Sequence, residues 1–393
     1  MKILFASSRG LGHVYPLLPL ARAARSAGDD VLFAVPASLA EEVRRRGNAV
    51  AVTTTDAESA PATRAAGDAT SSPDPLASAI RDHWAGSVVR AELPPLRRIM
   101  ASWRPDVVVS EVMNLAGPLA AEAAGIPHVP LGVNALRVGH VGLDVVAEPL
   151  NDVRHRLGLP QTPDIGWLFR YLYATPFPAF LEHPDLERPP TTLTYRHSDP
   201  DGYTPAPTDG YRRHRSGRPT VYASLGTKAS EDDTQLDAHR MTLTALGLVD
   251  ADVVFTVGGL NRSALGLVPA NVRLAAHLPP TVSMQCDLVL THAGAGTTTA
   301  ALSRGLPLVC LPLFGDQPHN AARVAALGAG VLADTAAGPR ALAGAVEQVL
   351  ATPSYAAEAR SLARTMAESP AVESVVPLLH EVAEAGRLEQ AAS

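Results

Sequence analysis

The chain has 393 residues and is poor in cysteine: there are 2, Cys286 and Cys310. Two lone thiols in apolar, strand-like surroundings suit neither a disulfide framework nor a zinc cluster, so both read as core residues in a reducing compartment. Lysine is scarce beside arginine, and acidic residues exceed basic ones, 39 to 33. The net charge of -6 argues against a nucleic-acid binder, which usually shows a basic face. The densest basic run, Arg44–Arg46, ends a predicted helix, where cations complement the dipole. No apolar run reaches membrane-span length. Only five apolar residues precede Ser7, too few for a signal-peptide core, which leads to the expectation of a cytoplasmic protein. Two motifs are also missing. The chain carries neither a Gly-Lys-Ser/Thr phosphate loop nor a G-x-G-x-x-G fingerprint with its distant acid, which argues against a nicotinamide dehydrogenase.

What remains is ordinary globular material: 46% hydrophobic and 18% charged residues, enough for two cores at this length. The N-terminal half alternates short apolar strands with amphipathic helices. "KILFAS", "VLFAV", "DVVVS" and "HVPLG" are the strands, and Gly28 and Gly47 close two helices. The C-terminal half repeats the rhythm with "TVYASLG", "DVVFTVG", "NVRLAAH", "DLVLTHA" and "LPLVCLPL". Such alternation predicts parallel sheets covered on both faces. From Val138 to about Arg218 the rhythm fails, and "HSDPDGYTPAPTDG" has the composition of a linker. The expected domains are 1–210, with an irregular aromatic-rich insertion over 138–210, and 211–393, whose last helix is a candidate to pack back on the first domain. A second irregular stretch, Thr53–Pro75, is long enough for a functional loop.

Ligands of open α/β sheets bind beyond the carboxyl ends of the strands. In the C-terminal half, His292 ends a strand, Gly294 and Gly296 follow, and Thr297, Thr298 and Thr299 open a helix. A helix N-terminus with close-approach glycines suits a phosphate. A plain tight turn with a Thr cap explains one Gly and one Thr, but not the whole set. One strand later, Asp316 and Gln317 can accept from and donate to sugar hydroxyls, although an Asp cap before Pro318 is a respectable alternative. In the N-terminal half, "SSRGLGHVYP" places His13 after a strand, near the start of a helix expected from Pro16. The dipole there favours neutral imidazole, the form a general base requires. Glu111 ends another strand and is either an orienting partner for that base or a solvated acid, the two readings being evenly matched. The aromatic run Trp167–Phe180 is either core or the lining of an apolar pocket.

The segment "HAGAGTTTAALSRGLPLVCLPLFGDQPHNA", with "GHVYPLLPLA", "PDVVVSE" and "YASLGT", resembles the inverting GT-B-fold nucleotide-sugar glycosyltransferases, above all their actinobacterial natural-product branch. The resemblance implies two Rossmann-like domains facing across a cleft. It implies that His292 contacts a donor diphosphate, that Gly294, Gly296 and Thr297 cradle it, and that Asp316 and Gln317 hold the sugar. Ser224, Gly226 and Thr227 resemble the family's second diphosphate loop. His277 and Leu278 stand where the family often stacks an aromatic on the base, so the choice between uridine and thymidine stays open. His13 takes the place of the base, and Glu111 that of its carboxylate partner. The implied reaction moves a sugar, by resemblance a deoxysugar on dTDP, to an apolar natural product, with no metal and no other cofactor. Nucleic acid and membrane are not expected partners, and a homodimer is a candidate assembly. A sugar-nucleotide epimerase and a catalytically silent helper subunit are the competing readings.

Overall fold

A computed structural model describes residues 1–8, 10–55, 74–138, 140–201, 217–226 and 233–392. The expected boundary near Gly210, most of the Thr53–Pro75 loop and Thr227 lie outside the described residues.

Two parallel sheets form the frame. The first contains β1 (Lys2–Ala6), β2 (Asp30–Val35), β3 (Ala49–Val52), β4 (Val107–Glu111) and β5 (His128–Leu131). A small ribbon of β6 (Arg137–Val138) and β7 (Val141–Gly142) stands apart. The chain then adds β8 (Tyr173–Thr175) and β9 (Thr192–Thr194), giving the order β3-β2-β1-β4-β5-β8-β9. The second sheet is built from β10 (Thr220–Ser224), β11 (Asp252–Thr256), β12 (Val272–Ala275), β13 (Leu288–Thr291), β14 (Leu308–Cys310) and β15 (Gly330–Leu332). Its order is β12-β11-β10-β13-β14-β15. The central strands are covered on both faces, which is why they read as unbroken apolar runs such as Val107–Val109, all at 0% exposure. Both sheets reverse their winding at one place, β1 beside β4 and β10 beside β13. The loops leaving those strand pairs diverge and leave a crevice.

Three features escape the sequence rhythm. Residues 75–103 are helical throughout, with Ala79–Val88 wound as a π-helix before the helix Val89–Trp103. Pro94 and Pro95 within that helix hide it from pattern reading. β8 and β9 lie inside the stretch where the rhythm fails, and they extend the first sheet. The aromatic run resolves mainly as core: Leu168, Phe169, Tyr173 and Phe177 are buried, and Trp167 packs on His128 and beneath the Arg154 guanidinium.

The two halves exchange packing. Phe177 and Leu181 join the core around Tyr222, Ala301 and Leu308, while Val375, Leu379 and Ala383 of the helix Val375–Ala392 join the core under the first sheet. Polar contacts reinforce the exchange. His319 Nε2 lies 3.0 Å from the Leu181 carbonyl, and Arg323 donates to the Phe180 carbonyl at 2.8 Å. Arg304, following the helix Ala295–Leu302, donates to Asp199 at 2.6 Å, with both side chains buried. Burial pushes the Asp199 carboxyl up, but His197 and the Arg304 charge outweigh it and hold the group below its usual range. Its stabilising contribution is therefore present above the ordinary carboxylate range and is lost as pH falls through the lowered folded-state value. Arg304→Met should destabilise the fold by about 3–5 kcal/mol at pH 7, the cost of stranding a buried charge. The deficit should shrink as Asp199 protonates in acid. Denaturant unfolding at pH 7 and in acid checks this, and an equal deficit at both would refute the assignment.

Candidate active site

At the first switch point the loop after β1 turns early. Gly10 adopts φ 112°, a left-handed conformation open to glycine, and starts a four-residue helix, Leu11–Val14, that carries His13. Pro16 then begins the separate helix Leu17–Ser26. The expectation that His13 opens the helix near Pro16 is thus corrected. It lies in the last turn of its own short helix, so the dipole argument for a neutral ring does not hold. Its Nδ1 lies 3.2 Å from Oε2 of Glu111, though not aligned as a hydrogen bond. Glu111, at the end of β4, is fully buried rather than solvated. It accepts from the Met113 N–H at 2.8 Å and the Ser8 N–H at 3.3 Å. Trp84, from the π-helix, covers the imidazole with ring centroids 5.2 Å apart. Trp84, Ser8 and Asn114 escaped sequence reading because no motif marks them, and their elements meet only through the sheet.

At the second switch point, His292 follows β13 and its Nδ1 lies 3.3 Å from Thr291 Oγ1. Some edge of the residue reaches solvent, yet the ring is deeply enclosed, and burial pushes its pKa down to about 4. The imidazole is therefore neutral. It fills the space that side chains at two glycines would need: a Cβ on Gly294 would meet Nε2 at 2.5 Å, and one on Gly226 at 2.9 Å. Gly226 also takes φ 99°, and its N–H reaches Ser224 Oγ at 3.4 Å. Ala293 sits at φ 64°, an unusual conformation for a residue with a side chain. It is held by Thr291 Oγ1, which accepts its N–H, and by Asn320 Nδ2, which donates to its carbonyl at 3.0 Å. The helix Ala295–Leu302 starts there. Gly296 has open space where a Cβ would project, and Thr297 is half-buried. Thr298 and Thr299 are buried, so of the three threonines Thr297 is the one that reaches solvent at this edge.

Asp316 and Gln317 begin the helix Gln317–Ala326. Asp316 occupies the capping position without capping: its carboxylate accepts from Asn320 Nδ2 at 2.7 Å instead. Burial raises its pKa, while Asn320 and the charge of His13 pull the other way, so His13 is felt from the opposite domain. Asn320, missed in the sequence, thus ties the His292 loop to the Asp316 loop. Gln317 is buried, and its carbonyl oxygen accepts the N–H groups of Leu313 (2.8 Å) and Phe314 (3.0 Å). Its oxygen thus shapes the loop. His277 is exposed and Leu278 half-buried beyond the edge strand β12. A recess of about 540 Å³ lined by Arg97, Arg104, Asp106 and Arg387 lies elsewhere, at the amino ends of β4 and β5, the wrong end of a parallel sheet for this chemistry.

The comparisons agree with this geometry. Residues 240–382 match the family model "Erythromycin biosynthesis protein CIII-like, C-terminal domain". The chain is 32% identical over 345 residues to the L-demethylnoviosyl transferase of Streptomyces niveus, covering 84% of each protein. It is 26% identical to the 3-alpha-mycarosylerythronolide B desosaminyl transferase of Saccharopolyspora erythraea, over 99% of this chain and 100% of that one. Among solved structures, the glycosyltransferase VinC in complex with DTDP superposes with a TM-score of 0.75 at 25% identity, covering 98% of this chain and 100% of that one. With two switch points facing one cleft and these relatives, the chain belongs to the GT-B-fold glycosyltransferases of actinobacterial antibiotic biosynthesis.

Proposed function

We propose that this glycosyltransferase moves a deoxysugar from a thymidine diphosphate donor to a hydroxyl of an apolar aglycone, with inversion at the anomeric carbon. The observation that carries the proposal is the 3.2 Å contact of His13 with Glu111, on the side of the cleft facing Asp316 and the His292 loop. With Nδ1 turned to Glu111, Nε2 is left to take the acceptor's proton. The hydroxyl oxygen then attacks the anomeric carbon as the bond to the diphosphate oxygen breaks. Glu111 orients the ring and balances the imidazolium that forms. The departing diphosphate meets neutral His292, the N–H groups opening the helix Ala295–Leu302, and Thr297. Ser224 and Gly226 would meet it from the second loop, with His277 and Leu278 nearest the base. Asp316 accepts from sugar hydroxyls. The sugar names printed for the relatives and the DTDP bound to VinC favour a deoxysugar on thymidine diphosphate. Two unpaired buried thiols, Cys286 and Cys310, suit a reducing, cytoplasmic setting. Among the described residues, no helix is long and apolar enough to cross a membrane. A silent helper would have no use for a base held on a buried carboxylate, and an epimerase has no acceptor hydroxyl to deprotonate.

His13→Ala should lower transfer by about 10²–10⁴-fold, the usual contribution of a positioned base, with dTDP affinity unchanged. The loss should shrink for acceptors with more acidic hydroxyls. An undiminished rate would refute the base assignment. Calorimetry separates the two donor loops. Gly294→Ala must displace the His292 ring, and forcing a packed group aside costs about 1–3 kcal/mol, so dTDP binding should weaken about tenfold or more. Asp316→Ala should leave dTDP affinity near wild type while transfer falls, because a hydrogen bond to a charged group is worth about 1.5–3 kcal/mol. Parallel losses in both variants would argue against separate diphosphate and sugar roles. Because N–H donors and an imidazole meet the diphosphate, the reaction should need no divalent metal. Transfer that disappears in EDTA and returns with Mg²⁺ would contradict this.

A further inference from the structure

The reaction just described uses one buried carboxylate, yet two stand behind His13. Glu92, on the helix Val89–Trp103, is 4% exposed, and Glu111 is 0% exposed. Ser8 joins them: its N–H donates to Glu111 Oε1 at 3.3 Å and its hydroxyl to Glu92 Oε2 at 3.4 Å. Asn114 closes the network. Its Nδ2 donates to the same Glu92 oxygen at 2.7 Å and to Ser8 Oγ at 3.2 Å, while its Oδ1 accepts the Gly117 N–H at 2.8 Å. No room is left there for another side chain, since a Cβ on Gly117 would meet Ser110 Oγ at 2.1 Å. The loops after β1 and β4 are thus fastened to each other through a carboxyl from a third element.

We propose that Glu92 is a positioning residue for transfer: it is the uncharged partner of the buried carboxyl pair, and through Ser8 and Asn114 it fixes Glu111 against His13. This rests on the reading of His13 as the base. Two carboxylates sharing a dry site do not both ionise cheaply. Glu111 has two backbone N–H donors and the imidazole beside it. Glu92 has two neutral side-chain donors on one oxygen, and burial, with the Glu111 charge adding to it, pushes its pKa up to about 8. Of the groups facing Glu92, Glu111 on β4 adds to the effect of burial, while the Ser8 hydroxyl and the Asn114 amide donate to Glu92 and pull the other way without outweighing it. Below about pH 8 Glu92 is uncharged. Above it, a charge appears on Glu92 beside Glu111, and repulsion loosens the contact with His13.

The test compares wild type, Glu92→Gln, Glu92→Leu and His13→Ala. Wild-type kcat/KM should decline above about pH 8, and Glu92→Gln should lack that decline because the amide cannot ionise. Glu92→Leu, which strands the Ser8 and Asn114 donors, should lower kcat about tenfold or more at pH 7 with little change in KM. Glu92→Gln should recover most of the loss. A readout without turnover separates this inference from the base assignment. The His13 ring resonance, assigned by its disappearance in His13→Ala, should show an inflection near pH 8 in wild type and none in Glu92→Gln. An alkaline decline and an inflection that both persist in Glu92→Gln would overturn the role of Glu92 while leaving His13 as base. Undiminished transfer in His13→Ala would instead remove the base reading, and with it any part for Glu92 in transfer.

Discussion

Parallel pairing of β1 with β4, and of β10 with β13, is the constraint on which the cleft depends. In each sheet these are the neighbours between which the winding changes direction, so the loops leaving them go opposite ways. The gap in the first sheet receives Ser8, His13, Glu111 and Asn114. The gap in the second receives Ser224, Gly226, His292 and Gly294. Residues about a hundred positions apart, such as Ser8 and Glu111, meet because their strands are hydrogen-bonded in register, with Ala6 opposite Ser110. Shift that register by one residue and the side chains exchange faces.

Burial then sets the charge state on each side of the cleft. His292 is largely stripped of water by the packing that excludes side chains at Gly226 and Gly294, and burial holds its imidazole neutral. Two backbone N–H groups point at Glu111, whereas burial beside Glu111 pushes the Glu92 carboxyl pKa up to about 8. Asp316 is partly withdrawn from water but feels His13 across the gap. The two halves therefore act on each other electrostatically as well as through packing.

That coupling needs the halves held in place, and contacts between them supply this. The Ala295–Leu302 helix opens at the His292 loop and is anchored near its other end, where Arg304 pairs with Asp199. The helix following Asp316 is tied to the carbonyls of Phe180 and Leu181. The His292 and Asp316 loops are thereby mounted on helices that rest on the first half of the chain.

The strand–helix rhythm, two sheets, the Gly/Thr loop with His292, and the His13 and Glu111 strand ends were all legible in the sequence. Each rests on a local signal: apolar runs for buried strands, glycines where backbone must turn or approach, polar residues where strands stop. Local signals also misled. Three consecutive threonines looked alike, but helical rotation turns Thr298 and Thr299 into the core. Gln317 shows no local sign of the loop that its side-chain oxygen closes. Pro94 and Pro95 disguised a helix, and with it Glu92 and Trp84. The tertiary structure decided whether Glu111 was solvated or buried, what Asp316 bonds instead of its own helix end, and which residues fasten the two loops. Those outcomes depend on which strand lies beside which and on how far water is excluded, and neither is a property of residues adjacent in the chain.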